Sequence, residues 1–483
     1  MSELEQSDAH PAGAQQSGIC RGRRKRVRRL DRSPATASVL SFIWPGLGQW
    51  YARQPLRALL YGLPPILLIA GLLVAVLVGP EVFVLRLLAP SFALGIIALV
   101  GLHALWRVAS IVDAWRRTRR EPLRRDRAAP LVVVLSLIVV LTHGFAGYYI
   151  QSFAEAGDKM FGGDGLGRPP SGPLDDILSV GPSPAPGSTP MPGASLVPSP
   201  TPGLTPRPAL DPNARVTVLF VGVDSGPGRD HALTDSLIVA SLDPRTNEVA
   251  MVSVARDTGR IPMFDGGRYD PRINSLLSFT RLNPDRFPQG PIYALVREME
   301  YLIGIPIDYY AVTDMAGFQA AVDAVGGVDV TVTRAIADGG FVLEPGRYHM
   351  DGQLALRYAR SRHGPGNSDF VRARRQQQLI YALAQRVRDP AVLARLPQVM
   401  DTIEELIRTD APVEAAPDLM AMLSASEGAT TSQTVLAPNT YAQRIPPGEV
   451  GGRYMIELKM DAVAALSIEL FGDESRYARS GGE

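Results

Sequence analysis

Arg215-Val216-Thr217-Val218-Leu219-Phe220-Val221-Gly222-Val223-Asp224 is the stretch on which the reading of this chain turns. Between Arg215 and Asp224 the run is apolar but for Thr217 and Gly222, and rich in valine. A continuous apolar run of that length predicts a strand covered on both faces. Ser236–Leu242 and Val249–Val254 repeat the pattern, and Asp243-Pro244-Arg245-Thr246-Asn247 between them predicts a turn. Downstream, Asp308–Val312 and Val328–Val332 predict strands. Ala294–Ile303, stopped at Gly304 and Pro306, and Met315–Val325, ended by Gly326-Gly327, predict helices. Asp351 is placed to cap a helix through Ala359, and Ser368 or Asp369 to cap a long one through Val387. Beyond Pro390 come more helix, a strand near Thr434–Leu436 and a charged tail. Strands mixed with helices throughout predict an α/β domain with α-β-α layers.

Working back from Arg215, Gly162–Pro212 is rich in Pro, Gly and Ser and predicts a semi-rigid spacer with no core of its own. Ahead of it, Leu59–Val78, Leu87–Trp106 and Pro130–Gly147 are long apolar runs, which predict about three transmembrane helices. The first apolar stretch lies too far from the start for a cleaved signal peptide. Arg21–Arg32 and Trp115–Arg127 are densely basic, so both are expected on the cytoplasmic side, with two crossings between them. Val39–Tyr51 is then expected to be interfacial or re-entrant, and everything after Tyr149 to be extracytoplasmic. Trp44, Trp50, Trp106 and Trp115 fit an interface belt. Ser41–Tyr51 contains Pro45-Gly46-Leu47-Gly48-Gln49, similar to a short motif of small two-helix membrane modules. The expected divisions are a basic tail over 1–34, a membrane anchor over 35–152, the Pro/Gly/Ser-rich linker over 153–212, the layered domain over 213–390, its C-terminal completion over 391–472, and a charged tail over 473–483.

Composition agrees with this division. The 483 residues are 46% hydrophobic and 20% charged, which excludes wholesale disorder. The net charge of +1 hides an asymmetry: 19 Lys+Arg against 8 Asp+Glu over residues 1–127, and 30 against 40 thereafter. The basic run Arg21–Arg32 is assigned to lipid headgroups and topology rather than nucleic acid, because apolar segments follow it. Cys20 is the only cysteine, which excludes an intrachain disulfide and a multi-Cys zinc site. Lysine occurs only at 25, 159 and 459, so nearly all positive charge is arginine. That excess fits coding bias as well as recognition of phosphate by forked guanidiniums.

The chain has no Walker-type loop, dinucleotide glycine fingerprint, Gly-x-Ser-x-Gly elbow or His-Glu-x-x-His, and its histidines are scattered. Aspartate and arginine remain. Asp224 ends the first strand and Asp235 begins the second; two such carboxylates suit a hard cation such as Mg2+, or are solvated turn acids. Arg256-Asp257 closes the third strand, with Arg260 following, and fits a structural ion pair equally well. Tyr358-Ala359-Arg360-Ser361-Arg362 precedes Ser368-Asp369-Phe370-Val371-Arg372-Ala373-Arg374-Arg375-Gln376. On a helix Asp369, Arg372 and Gln376 share one face. Leu379, Ile380, Leu383 and Val387 continue as an apolar stripe, expected to be core. This arginine density suits several phosphates, or a solvated basic face.

These residues resemble the LytR–CpsA–Psr family of cell-envelope polymer ligases from about Val216 to Val387. The matching blocks include Val223-Asp224-Ser225, Thr234-Asp235-Ser236, Val252–Thr258 and Arg272-Ile273-Asn274. They continue through Gly304–Tyr310, Val322–Val330 and the arginine-rich block. The resemblance implies an α-β-α sandwich with an apolar tunnel for a lipid tail. It implies transfer of a glycan or teichoic-acid-like polymer from a polyprenyl-pyrophosphate carrier to peptidoglycan through a phosphodiester. It further implies Asp224 and Asp235 as Mg2+ ligands, and Arg256, Arg260, Arg360, Arg362, Arg372 and Gln376 as pyrophosphate-binding residues. Arg256, Arg362 and Asp369 are the expected catalytic residues. The chain departs from the family's pattern at Leu233, where arginine is common, with Arg229 a candidate substitute, at Ala255 in place of proline, and in having three membrane helices rather than one. A polyprenyl-pyrophosphate phosphatase and a non-catalytic lipid-phosphate-binding regulatory protein are the alternative functions. The partners expected are the lipid-linked glycan, peptidoglycan and membrane lipid, with no nucleic acid, at a cell membrane crossed several times.

Overall fold

The computed structural model describes residues 32–78, 80–119, 126–161, 174, 178, 210–211, 213–224, 233–362, 368–403, 406–412 and 415–479. Most of the basic run, Cys20, Ser225, Arg229 and nearly all of the spacer lie outside the described residues. The chain divides into two compact units, Met1–Pro64 with Trp106–Val139, and Pro65–Leu105 with Val140–Glu483.

Three helices, α2 (Pro55–Val78), α3 (Pro90–Thr118) and α4 (Ala129–Phe161), are long and apolar enough to cross a membrane. Pro64 and Pro65 lie inside α2 without ending it. The run expected to begin a span at Leu87 starts later: α3 opens at Pro90, and Leu87 and Leu88 are buried elsewhere. Ahead of α2, α1 (Pro34–Ile43) and a short helix Leu47–Tyr51 have ten and five residues, too few to cross a bilayer. Gln49 is fully buried beside α3, donating to the Ser110 carbonyl at 2.8 Å and accepting from Ser41 Oγ at 3.1 Å. A side chain on Gly48 would meet the Ala37 carbonyl at 2.2 Å, which explains the glycine in that motif.

In the second unit six strands form one mixed sheet. They are β1 (Val216–Asp224), β2 (Leu233–Asp243), β3 (Glu248–Ser253), β4 (Tyr309–Asp314), β5 (Ile407–Thr409) and β6 (Thr430–Val435). Their order is β5-β4-β1-β2-β3-β6. Pairs β1–β4 and β3–β6 are parallel and the rest antiparallel. Both edges therefore come from beyond Pro390. Alternation along β1 sends Leu219, Val221 and Val223 into one core with α5 (Pro291–Ile303), which contributes Leu295, Met299 and Leu302. The opposite face meets α6 (Met315–Ala324), α7 (Gly352–Arg360) and α8 (Asp369–Val387). The domain is the expected α/β sandwich. Asp351 caps α7 by accepting from Leu354 N at 2.8 Å, and Ser368 rather than Asp369 caps α8.

The spacer reading needs one correction. Leu174 and Leu178, one helical turn apart, are helical and 2% and 5% exposed in the core against β1 and β2. Two leucines inside a proline-rich stretch give too little periodicity to declare a core segment.

Candidate functional site

The open face of the sheet and α6, α7 and α8 enclose a cavity of about 1120 Å³. Alternation along β1 turns Phe220, Gly222 and Asp224 toward it. Asp235 reaches it by another route. Pairing shifts between Gly222↔Ser236 and Val223↔Thr234, leaving Asp235 as the extra residue of a β-bulge. Leu237 and Val239 face the opposite core, so plain alternation would send Asp235 there as well. The bulge brings Asp235 and Ser236 to the cavity together.

One end of the cavity is polar. Asp224, Asp235, Arg256, Arg360, Arg362, Arg372 and Gln376 all line it. Arg256 Nη1 donates to Asp235 Oδ1 at 2.9 Å, and Arg362 Nη2 lies 3.6 Å from Asp235 Oδ2. Asp369 lines a small adjoining cleft with Asp235, Arg256, Arg372 and Gln376. Its Oδ1 lies 3.2 Å from Arg372 Nη1 and 3.7 Å from Arg362 Nε, ion-pair contacts without hydrogen-bond geometry. Arg372 is 4% exposed, and burial holds its guanidinium below the usual arginine range despite Asp369. Burial opposes the charge on Arg256 too, but Asp235, Asp257 and Asp369 outweigh it and raise that group. The Nε atoms of Arg256 and Arg372 are buried with no hydrogen-bond partner among the described residues. Buried donors left in this way are costly unless a ligand completes them, and a polyanion would.

Arg260 stands apart. It does not line the cavity; its Nη1 pairs with Glu449 Oε2 at 2.8 Å, and its backbone is left-handed at φ 54°. Of the other arginines in the block, Arg374 is exposed, the solvated reading. Arg375 is structural: buried against the Tyr358 ring, it donates to the Ser361 carbonyl at 3.0 Å and so fixes the turn between Arg360 and Arg362. Leu233, at the family's arginine position, lines the cavity.

Sequence reasoning passed over Asp257 and Arg272 as site-building groups. Arg272 Nη1 lies 3.3 Å from Asp257 Oδ1, and its Nη2 donates to the Tyr454 carbonyl at 2.8 Å. Asn274 N donates to the Arg256 carbonyl at 3.3 Å. Burial raises the Asp257 carboxyl even though Arg272 and Arg256 pull it down. The signal available was the Arg272-Ile273-Asn274 block, which spacing alone does not connect to Arg256.

The rest of the lining is mostly apolar, from Phe220, Ala311 and Phe318 to Leu379, Ile380 and Leu383, with Gln319, Gln353 and Arg357 among it. The stripe on α8 is the expected core, with Leu379 buried in an apolar cluster and Leu383 and Val387 packed against it, and the same residues also line the cavity. A helical face cannot say whether its apolar partner is protein or a space of ligand size.

No group of three or more His, Cys, Asp or Glu side chains placed to hold a metal occurs among the described residues. Asp224 and Asp235 give two hard oxygen donors beside the arginines. That donor set suits Mg2+, which is held by one or two carboxylates together with substrate phosphates.

The family model described as LytR_cpsA_psr family matches residues 200–464. The polyisoprenyl-teichoic acid–peptidoglycan teichoic acid transferase TagU of Halalkalibacterium halodurans is 29% identical over 249 residues, 50% of this chain and 78% of that protein. The Bacillus mycoides protein of the same name is 31% identical over 195 residues, 40% of this chain and 60% of its own length. The matches thus span between three fifths and four fifths of these relatives. Bacillus subtilis TagU has a solved structure that aligns at 23% identity and TM-score 0.41, covering 53% of this chain and 95% of that one. A TagT structure bound to LI-WTA aligns at 20% and 0.41, covering 55% and 92%.

Proposed function

The chain belongs to the LytR_cpsA_psr family, and on that premise we propose that it is a membrane-anchored phosphotransferase. It moves a teichoic-acid-like or other glycan polymer from a polyprenyl-pyrophosphate carrier onto peptidoglycan through a phosphodiester. The observation that carries this reading is one cavity that joins a polar group built from Asp224, Asp235, Arg256, Arg360, Arg362, Arg372 and Gln376 to a long, mostly apolar remainder. A lipid pyrophosphate has the same two-part chemistry. The names of the relatives, teichoic acid transferases, point to the same substrate class.

Phosphoryl transfer depends on positioning and charge neutralisation more than on covalent help from the protein. Arg256 and Arg362, now engaged with Asp235, turn to the pyrophosphate as it binds, and Arg372 supplies its buried charge and unsatisfied Nε. A peptidoglycan hydroxyl attacks the phosphorus that carries the polymer. The new P–O bond forms as the bond to the polyprenyl phosphate breaks, and that phosphate leaves with its charge held by the arginines. Asp224 and Asp235 would hold Mg2+, whose chemistry is to neutralise the pyrophosphate oxygens. With those two carboxylates committed, Asp369 is left to take the proton of the hydroxyl. Arg260, outside the cavity, would act on substrate beyond the pyrophosphate. The basic segments lie in the cytoplasm and the catalytic domain outside the cell.

The test uses the full-length protein in lipid nanodiscs with Mg2+, a polyprenyl-pyrophosphate glycan and a peptidoglycan oligomer. The expected result is polymer joined to the oligomer, abolished by chelation, and reduced about 100-fold by Arg362→Ala. Phosphate release without joined product would make the protein a phosphatase. Binding without turnover would make it a regulatory protein.

A further inference from the structure

The cavity has a direction. Along α8, Arg372 and Gln376 stand at the polar end, and Leu379, Leu383 and Val387 follow toward the C-terminus. At ~1.5 Å per residue, Arg372 and Val387 are about 22 Å apart along the helix axis. Val387 is shared, because it both lines the cavity and packs against a separate apolar cluster. That cluster joins Leu396, Met400 and Met420 of the catalytic domain to residues of the anchor. Leu85, Leu87 and Leu88 come from the connection between α2 and α3, and Phe153 and Ala156 from the end of α4. Tyr149 Oη adds a hydrogen bond of 2.8 Å to the Ala394 carbonyl.

These anchor residues are not lipid-facing. Gln151, Glu155 and Asp158 make this last part of α4 polar, unlike the apolar run before it, and Leu85 and Leu88 are 5% and 1% exposed. Contact between the turn at Leu88 and α4 is tight: a Cβ on Gly157 would lie 2.2 Å from the Leu88 carbonyl oxygen. By contrast, Gly147 on the same helix has nothing within 4 Å of such an atom.

We propose that the α2–α3 connection and the end of α4 form a docking platform that holds the apolar end of the cavity against the membrane surface. A long polyprenyl chain then passes from the outer leaflet into the cavity without crossing water. Only the pyrophosphate and the first isoprenes need to leave the bilayer. This gives the extra membrane helices a task, and it rests on the lipid-pyrophosphate reading above.

Two measurements test it on full-length protein in nanodiscs. In a Cys20→Ser background, Tyr149→Cys with Ala394→Cys should be joined by a short bis-maleimide; absence of cross-linking overturns the docking, whatever the enzyme does. In the second, Gly157→Val is compared with Gly147→Val on two substrates, a long-chain polyprenyl-pyrophosphate glycan in the bilayer and a water-soluble short-chain analogue. Gly157→Val should lower turnover of the bilayer substrate at least tenfold and change the soluble one less than twofold, with Gly147→Val normal on both. Equal losses on both substrates, or no loss on either, overturn the proposal. Wild type inactive on both substrates but still cross-linked would sink the enzymatic reading and leave the docking standing.

Discussion

Arg372 holds its charge where burial works against it, and Asp369 one helical turn away compensates only in part. A side chain kept there needs a planar fork, not a point charge. Arg372→Lys is expected to lower kcat/KM about 10- to 100-fold, the loss of one charged bidentate contact, which steady-state transfer kinetics would measure. Glu298 on α5 is a second buried charge. It is 0% exposed, and burial raises its carboxyl to about 7 from 4.5, against one hydrogen bond from Phe264 N at 3.1 Å. Since the folded value lies above the unfolded one, the folded state binds more protons between those values. Stability therefore falls as pH rises from about 4.5 to 7, by ~3 kcal/mol in all. Melting curves at pH 5 and pH 8 should show that slope in the wild type and lose it in Glu298→Gln; an unchanged slope would remove Glu298 as its source. Arg372 and Gln376 were legible as one face of a helix. Glu298 was not, since its helix is amphipathic and nothing in its spacing says which acid faces inward.

Among elements, β1 was readable because an apolar run with an acid at its end has few other meanings. The bulge in β2 was not, because register is a property of two strands and Thr234-Asp235-Ser236 carries no mark of the extra residue. Had β2 paired without the bulge, Asp235 would point into the core of Leu237 and Val239, and the site would lack its central carboxylate. Leu174 and Leu178 were hidden for a different reason: the sequence around them obeys the rules for a spacer. Leu174→Ala and Leu178→Ala should each destabilise the domain by about 2–5 kcal/mol, as large-to-small changes in a packed core do. Losses under ~0.5 kcal/mol in chemical denaturation would return the whole segment to the spacer.

At the scale of the molecule, net charge was the least informative number and its distribution among the most. The 19 to 8 excess of basic residues over 1–127 and the 30 to 40 deficit after them are what a chain crossing a membrane would carry. Three helices of spanning length agree with the apolar runs, and the two helices ahead of them are too short to span. Sidedness remains a matter of charge, and the single cysteine makes it measurable. Cys20 lies just before the basic run at Arg21, so it should be reached by a membrane-impermeant maleimide only after cells are opened. Arg453 is exposed on the catalytic domain, and in a Cys20→Ser background Arg453→Cys should react in intact spheroplasts. Labelling of both residues on one side would require an even number of crossings, and three spanning helices could not then all cross.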